Sequence, residues 1–125
     1  MAQQWRRQYE RISCYIPIML RFLGNNPPDG WGVIQDISLG GVKIETRSPV
    51  RDGQIVFISF SLSDEFNFLN TKGIMCRVTQ NGIYYTCGIR FVDSIDKQHL
   101  ANALQLHLLS NDIETESRPE AEVKQ

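Results

Sequence analysis

Between Ile12 and Val92 apolar residues return at every second position in a series of short runs. That spacing dictates half-buried strands, because successive side chains of an extended chain point to opposite faces. Ile12, Cys14, Ile16, Ile18, Leu20 and Phe22 alternate with Ser13, Tyr15, Pro17, Met19 and Arg21. Pro17 has no N–H to donate, so an edge or a bulge is expected there. The turn-rich stretch Gly24–Gly30 leads into a second strand through Trp31, Val33 and Ile34, with Trp31 expected in the core or at a barrel rim. A tight connection at Ser38–Gly41 precedes Val42 and Ile44. After the Arg47–Gly53 loop, Val56, Ile58, Phe60 and Leu62 share one face, while Ile55 and Phe57 on the other suggest a strand covered on both sides at one end. A loop over Ser63–Asn70 follows. Ile74, Cys76 and Val78 then form the core-facing set of a fifth strand, and Ile83, Tyr85, Cys87, Ile89 and Phe91 that of a sixth. Asn81-Gly82 between them predicts a hairpin with a type I′ turn, whose two central residues both need positive φ.

The period then changes. Leu100, Leu104 and Leu108 recur at every fourth position beside Ala103, which predicts an amphipathic helix over Ile95–Leu109 capped by Ser94. Six short strands and one terminal helix point to a small six-stranded antiparallel barrel, with the helix covering an opening or a face.

At 125 residues with a formal charge of −1, the chain suits one domain and lacks the electropositive bulk of a non-specific duplex-nucleic-acid binder. No uncharged apolar stretch reaches the roughly 18 residues a membrane span needs, and no secretory signal opens the sequence, so a cytoplasmic protein without membrane insertion is expected. Cys14, Cys76 and Cys87 form no C-x-x-C pair and read as small core hydrophobes. His99 and His107 fall out of register on the helix, with no carboxylate or cysteine pattern to complete a metal site. No nucleophile with a base and an orienting acid is visible, nor a phosphate loop, so a non-enzyme is expected, without a metal or cofactor. The charges divide the chain: residues 1–11 read as a flexible arginine-containing arm, 12–110 as the barrel with its helix, and 111–125 as an acidic, disordered tail.

Two segments carry chemistry. Arg6, Arg7 and Arg11 lie just before the first strand, and a guanidinium's parallel donors suit phosphate oxygens and the O6/N7 edge of guanine. Asp36, Ser38, Gly40 and Gly41 lie between two strands. Asp36 can accept from guanine N1 and N2, and a residue without Cβ lets a ligand approach the backbone. Each segment also has a plain alternative. The arm can be merely solvated, and the second segment can be a turn whose Asp36 and Ser38 bond local amides while the glycines supply positive φ.

Taken together, Arg7-x-x-x-Arg11 and Asp36-x-Ser38-x-x-Gly41 resemble the paired signature of the PilZ domain family, bacterial receptors for cyclic di-GMP. Gly88-Ile89-Arg90-Phe91 is similar to the end of the last barrel strand in these domains, and the likeness covers residues 5 to about 110. The resemblance implies that Arg7 and Arg11 bind phosphates and the guanine O6/N7 edge, while Asp36, Ser38 and Gly41 cradle a guanine. An arginine at the Arg6 position implies an intercalated pair of ligands, hence two cyclic di-GMP molecules per domain. Trp5, which can stack on a base or pack on the nearest apolar surface, and Gly40, Arg77 and Arg90 are further candidate contacts. The arm would order on binding and present a new surface to a downstream protein. Two rivals stand beside this reading: a ligand-independent scaffold of the same fold, as in type IV pilus or motility assembly, and a single-stranded nucleic-acid binder using Trp5, Tyr15 and the arm.

Overall fold

In the computed structural model of the chain, residues 11–24 and 29–106 are described. They form strands β1 (Arg11–Phe22), β2 (Asp29–Ser38), β3 (Gly41–Thr46), β4 (Ile55–Ser61), β5 (Asn67–Asn81) and β6 (Tyr84–Phe91), followed by helix α1 over 94–106. The strands close into a barrel in the order β1-β2-β3-β6-β5-β4, with every neighbouring pair antiparallel. Closure falls to a short ladder, Met19–Phe22 of β1 against Val56–Ser59 of β4. The first half of β1 therefore pairs only with β2. Pro17 lies in that half, where the missing N–H breaks no second ladder, and the β1–β2 register slips between Ser13 and Ile16.

The core holds Ile18, Leu20, Phe22, Ile34, Ile44, Val56, Ile58, Phe68, Met75, Ile89 and Phe91, and Leu100 and Leu104 of α1 pack onto it. Phe68 is among its largest fully buried side chains. It stacks on Phe60 at 4.6 Å between ring centroids and meets Phe91 at 5.9 Å. His99 of α1 packs over the Phe68 ring at 4.4 Å, and its Nε2 lies 3.3 Å from the Asn67 carbonyl, so this histidine is locally bonded.

Bulges account for where alternation misled. In β5 the buried residues are Phe68, Thr71, Gly73 and Met75, so Ile74 and Cys76 face outward and the expected face is inverted. An extra residue at Arg77 then returns Val78 to the core side. A second bulge at Asn70 lets β5 begin at Asn67, inside the expected loop. In β2 an extra residue between Ile34 and Asp36 keeps Ile34 and Ile37 both inside, and Trp31 is left outside at 63% exposure. Ile55 is 42% exposed, so β4 is covered on one face alone. Cys87 is buried, whereas Cys14 and Cys76 are only partly so.

The β5–β6 turn also lies one residue further on than expected. Asn81 pairs with Tyr84, which leaves Gly82 and Ile83 as the two loop residues, and only Gly82 has positive φ (64°). That fits a type II′ turn, which needs a glycine at its first central position alone. At α1 the Lys97 amide donates to the Asp93 carbonyl at 3.0 Å, so Asp93 rather than Ser94 holds the cap position.

Candidate functional site

Strand pairing lines up two outward-facing rows across the barrel. Arg11 of β1 opposes Ser38 of β2, Ser38 opposes Gly41 of β3, and Gly41 opposes Arg90 of β6. One step along, Ser13 opposes Asp36, Asp36 opposes Lys43, Lys43 opposes Gly88, and Gly88 opposes Cys76 of β5. With strands about 4.8 Å apart, each row spans roughly 15–20 Å. A cleft of about 390 Å³ runs over them, and its walls include Arg11, Asp36, Ser38, Gly40, Gly41, Arg77 and Arg90. The structure thus brings together every candidate that lies among the described residues. Trp5, Arg6 and Arg7, together with the rest of the arm before Arg11, the acidic tail and His107, lie outside the described residues, whereas Arg11 itself is the first residue of β1.

Each row carries one glycine, and at Gly88 the Cys76 sulfur lies 3.1 Å from where a Cβ would stand. Gly41 is also a packing necessity, since a Cβ there would collide with the Ile89 carbonyl oxygen of β6. The expectation that these glycines supply positive φ does not hold, because neither Gly40 nor Gly41 has it. The tight β2–β3 turn is held instead by the Phe91 amide, which donates to the Gly40 carbonyl at 3.0 Å. Ser38 Oγ donates a long 3.5 Å bond to the Gly41 carbonyl. Asp36 makes no side-chain hydrogen bond or ion pair among the described residues, so its carboxylate is not consumed by the turn.

The charge balance of the cleft is positive. Arg11, Lys43, Arg77 and Arg90 line it against the single carboxylate of Asp36. The only ion pair among the described residues, Arg21 with Asp29 at 3.1 Å, joins β1 to β2 at the far end of their ladder. Four cations on one concave face, without carboxylate partners among the described residues, favour an anionic ligand.

Lys43, Cys76, Thr79 and Thr86 also line the cleft and were not singled out from sequence. Lys43 was legible, as the outward residue between Val42 and Ile44. Arg77 has φ 53°, a left-handed conformation that costs a residue with a Cβ about 1–2 kcal/mol. Asp52 of the β3–β4 loop braces it: the Val78 amide donates to Asp52 Oδ1 at 2.9 Å. Beside it the same loop pairs with Met75, through Gly53 N–H to Met75 O and Met75 N–H to Gln54 O, both at 2.8 Å. Inside the barrel, burial first, then the charges of Cys76 and Asp52, push the Cys87 thiol up to about 12.

A family model described as the PilZ domain matches residues 6–109. The chain belongs to the PilZ family. Among solved structures, it is similar to the PilZ domain of YcgR from Escherichia coli with c-di-GMP (TM-score 0.61, 15% identity, 90% of this chain and 94% of that one). It is similar also to the K. pneumonia MrkH–c-di-GMP complex (TM-score 0.66, 16% identity, 83% of this chain and 53% of that one). A third likeness is to the Bacillus subtilis inhibitor of motility MotI/DgrA (TM-score 0.59, 16% identity, 83% and 52%). The chain spans about half the length of MrkH and MotI/DgrA. At these identities the likeness is one of fold. No curated protein matches the sequence significantly.

Proposed function

We propose that this PilZ domain is a receptor for cyclic di-GMP, a binding module rather than an enzyme, whose ligand-bound form is read by a downstream protein. The observation that carries the reading is the row Arg11–Ser38–Gly41, with Asp36 one step along, gathered from three strands into one cationic cleft. Membership of the PilZ family and the fold shared with domains solved with c-di-GMP support it. Arg7 and Arg11 bind phosphates and the guanine O6/N7 edge, and Asp36 accepts from guanine N1 and N2 beside Ser38 and Gly41. Arg6 adds a third guanidinium, and two ligand molecules occupy each domain.

Ordering the arm costs about 1–2 kcal/mol per backbone residue fixed, and charge-assisted hydrogen bonds of about 1.5–3 kcal/mol each offset it. Binding therefore acts as a switch on the N-terminal arm, and the ordered arm offers the downstream partner a new surface. The test is calorimetric titration of cyclic di-GMP into the domain and its Arg11→Ala variant, with GTP as control. Micromolar binding with two ligands per chain, lost in the variant and absent for GTP, is the expected result. Saturation at one ligand would remove the Arg6 argument, and no binding at all would replace the receptor with the ligand-independent scaffold.

A further inference from the structure

We propose that Lys43, Arg77 and Arg90 form a second anion subsite, which takes a phosphodiester of the bound dinucleotide, and that the β5 bulge is kept because it sends Arg77 there. This deepens the receptor reading and rests on it.

Arg77 is a residue type ill suited to positive φ, yet the backbone at this point is held in that conformation. The loop bond from Asp52 and the pairing of Gly53 and Gln54 with Met75 fix the strand on the side of the bulge away from β6. A backbone so firmly fixed around an unfavourable residue is the pattern found where a side chain must be aimed. The target is visible in the second row. Gly88 separates Lys43 from Cys76, the residue before Arg77, so the small Cys76 thiol and no Gly88 side chain lies over the gap between the two cations, and Arg90 follows two residues along β6. All three lie on β3, β5 and β6, beyond the Asp36–Ser38 cradle, and none is paired with a carboxylate among the described residues. Thr79 and Thr86, opposite each other and also lining the cleft, add hydroxyl donors suited to phosphate oxygens.

The deciding variant is Arg77→Gly, which suits the backbone and removes only the guanidinium. It is expected to melt at the same temperature as the parent or higher, and to bind cyclic di-GMP at least tenfold more weakly. Arg77→Lys should recover part of that loss, and Arg90→Gln should weaken binding without altering the backbone. Binding by Arg77→Gly within twofold of the parent, or a lower melting temperature for it, overturns the subsite. Inorganic pyrophosphate, followed by NMR at the Gly88 and Arg90 amides, separates this proposal from the receptor reading. If the parent ignores cyclic di-GMP, the receptor reading falls. Pyrophosphate shifts that vanish in Arg77→Gly would then still establish an anion subsite while overturning the dinucleotide as its ligand, and their absence in the parent would overturn the subsite too.

Discussion

Strand β5 is interrupted twice by the same backbone conformation, at Asn70 (φ 51°) and at Arg77 (φ 53°). Both bulges skip one residue and return the next to the core side, Thr71 in the first case and Val78 in the second. The residues skipped differ in kind. Asparagine tolerates the left-handed region, and its backbone N–H donates to Ser59 Oγ at 2.9 Å, so the first bulge is what local preference would choose. Arginine has no such tolerance. A conformation that suits its residue explains itself by folding, and one that does not points to what the side chain does.

That contrast can be broken from either end. The largest effect is expected from Phe68→Ala, two residues before the first bulge, where an emptied core position should cost about 3–5 kcal/mol. Denaturant unfolding should show that loss, while the affinity of the remaining folded protein for cyclic di-GMP stays unchanged. Asp52→Ala removes the acceptor of the Val78 amide and should cost about 1–3 kcal/mol. Here thermal unfolding and ligand titration should both deteriorate, since Arg77 loses its aim; loss of stability alone would make the two bulges equivalent. Ser59→Ala does the corresponding thing at Asn70, with about 0.5–1.5 kcal/mol lost and ligand affinity unmoved. The smallest effect is chemical. At pH 8 Cys87 remains a buried thiol, because its ionisation is pushed up to about 12, so alkylation followed by mass spectrometry should modify Cys76 before Cys87, and bound ligand should slow it.

The same contrast explains what could be read from the sequence. The number of strands, the helix, the antiparallel hairpins and the paired motifs were legible because they depend on local period and short spacing. Facing was lost at the bulges of β2 and β5, whereas β1 kept its expected inward set, Ile12 to Phe22, across its own register slip. Trp31 looked like a core or rim residue and Cys76 like a core residue because nothing local announces the extra residue before Asp36 or at Arg77. Asp52 was invisible for a related reason: its partner, the Val78 amide, is 26 positions away. Gly41 drew notice for the room it leaves a ligand, whereas the obstacle to a side chain there comes from β6, beyond any local pattern.

One feature of the barrel bears on how a binding event would spread. Because β1 meets β4 only from Met19 onward, the residues from Arg11 to Ile18 are zipped along one side and can part from β2 while the closing ladder stays intact. Amide hydrogen exchange along this single strand should therefore form a gradient, fast near Arg11 and slow near Leu20. A ligand gripping Arg11 would flatten that gradient, turning contact with one side chain into the stiffening of half a strand.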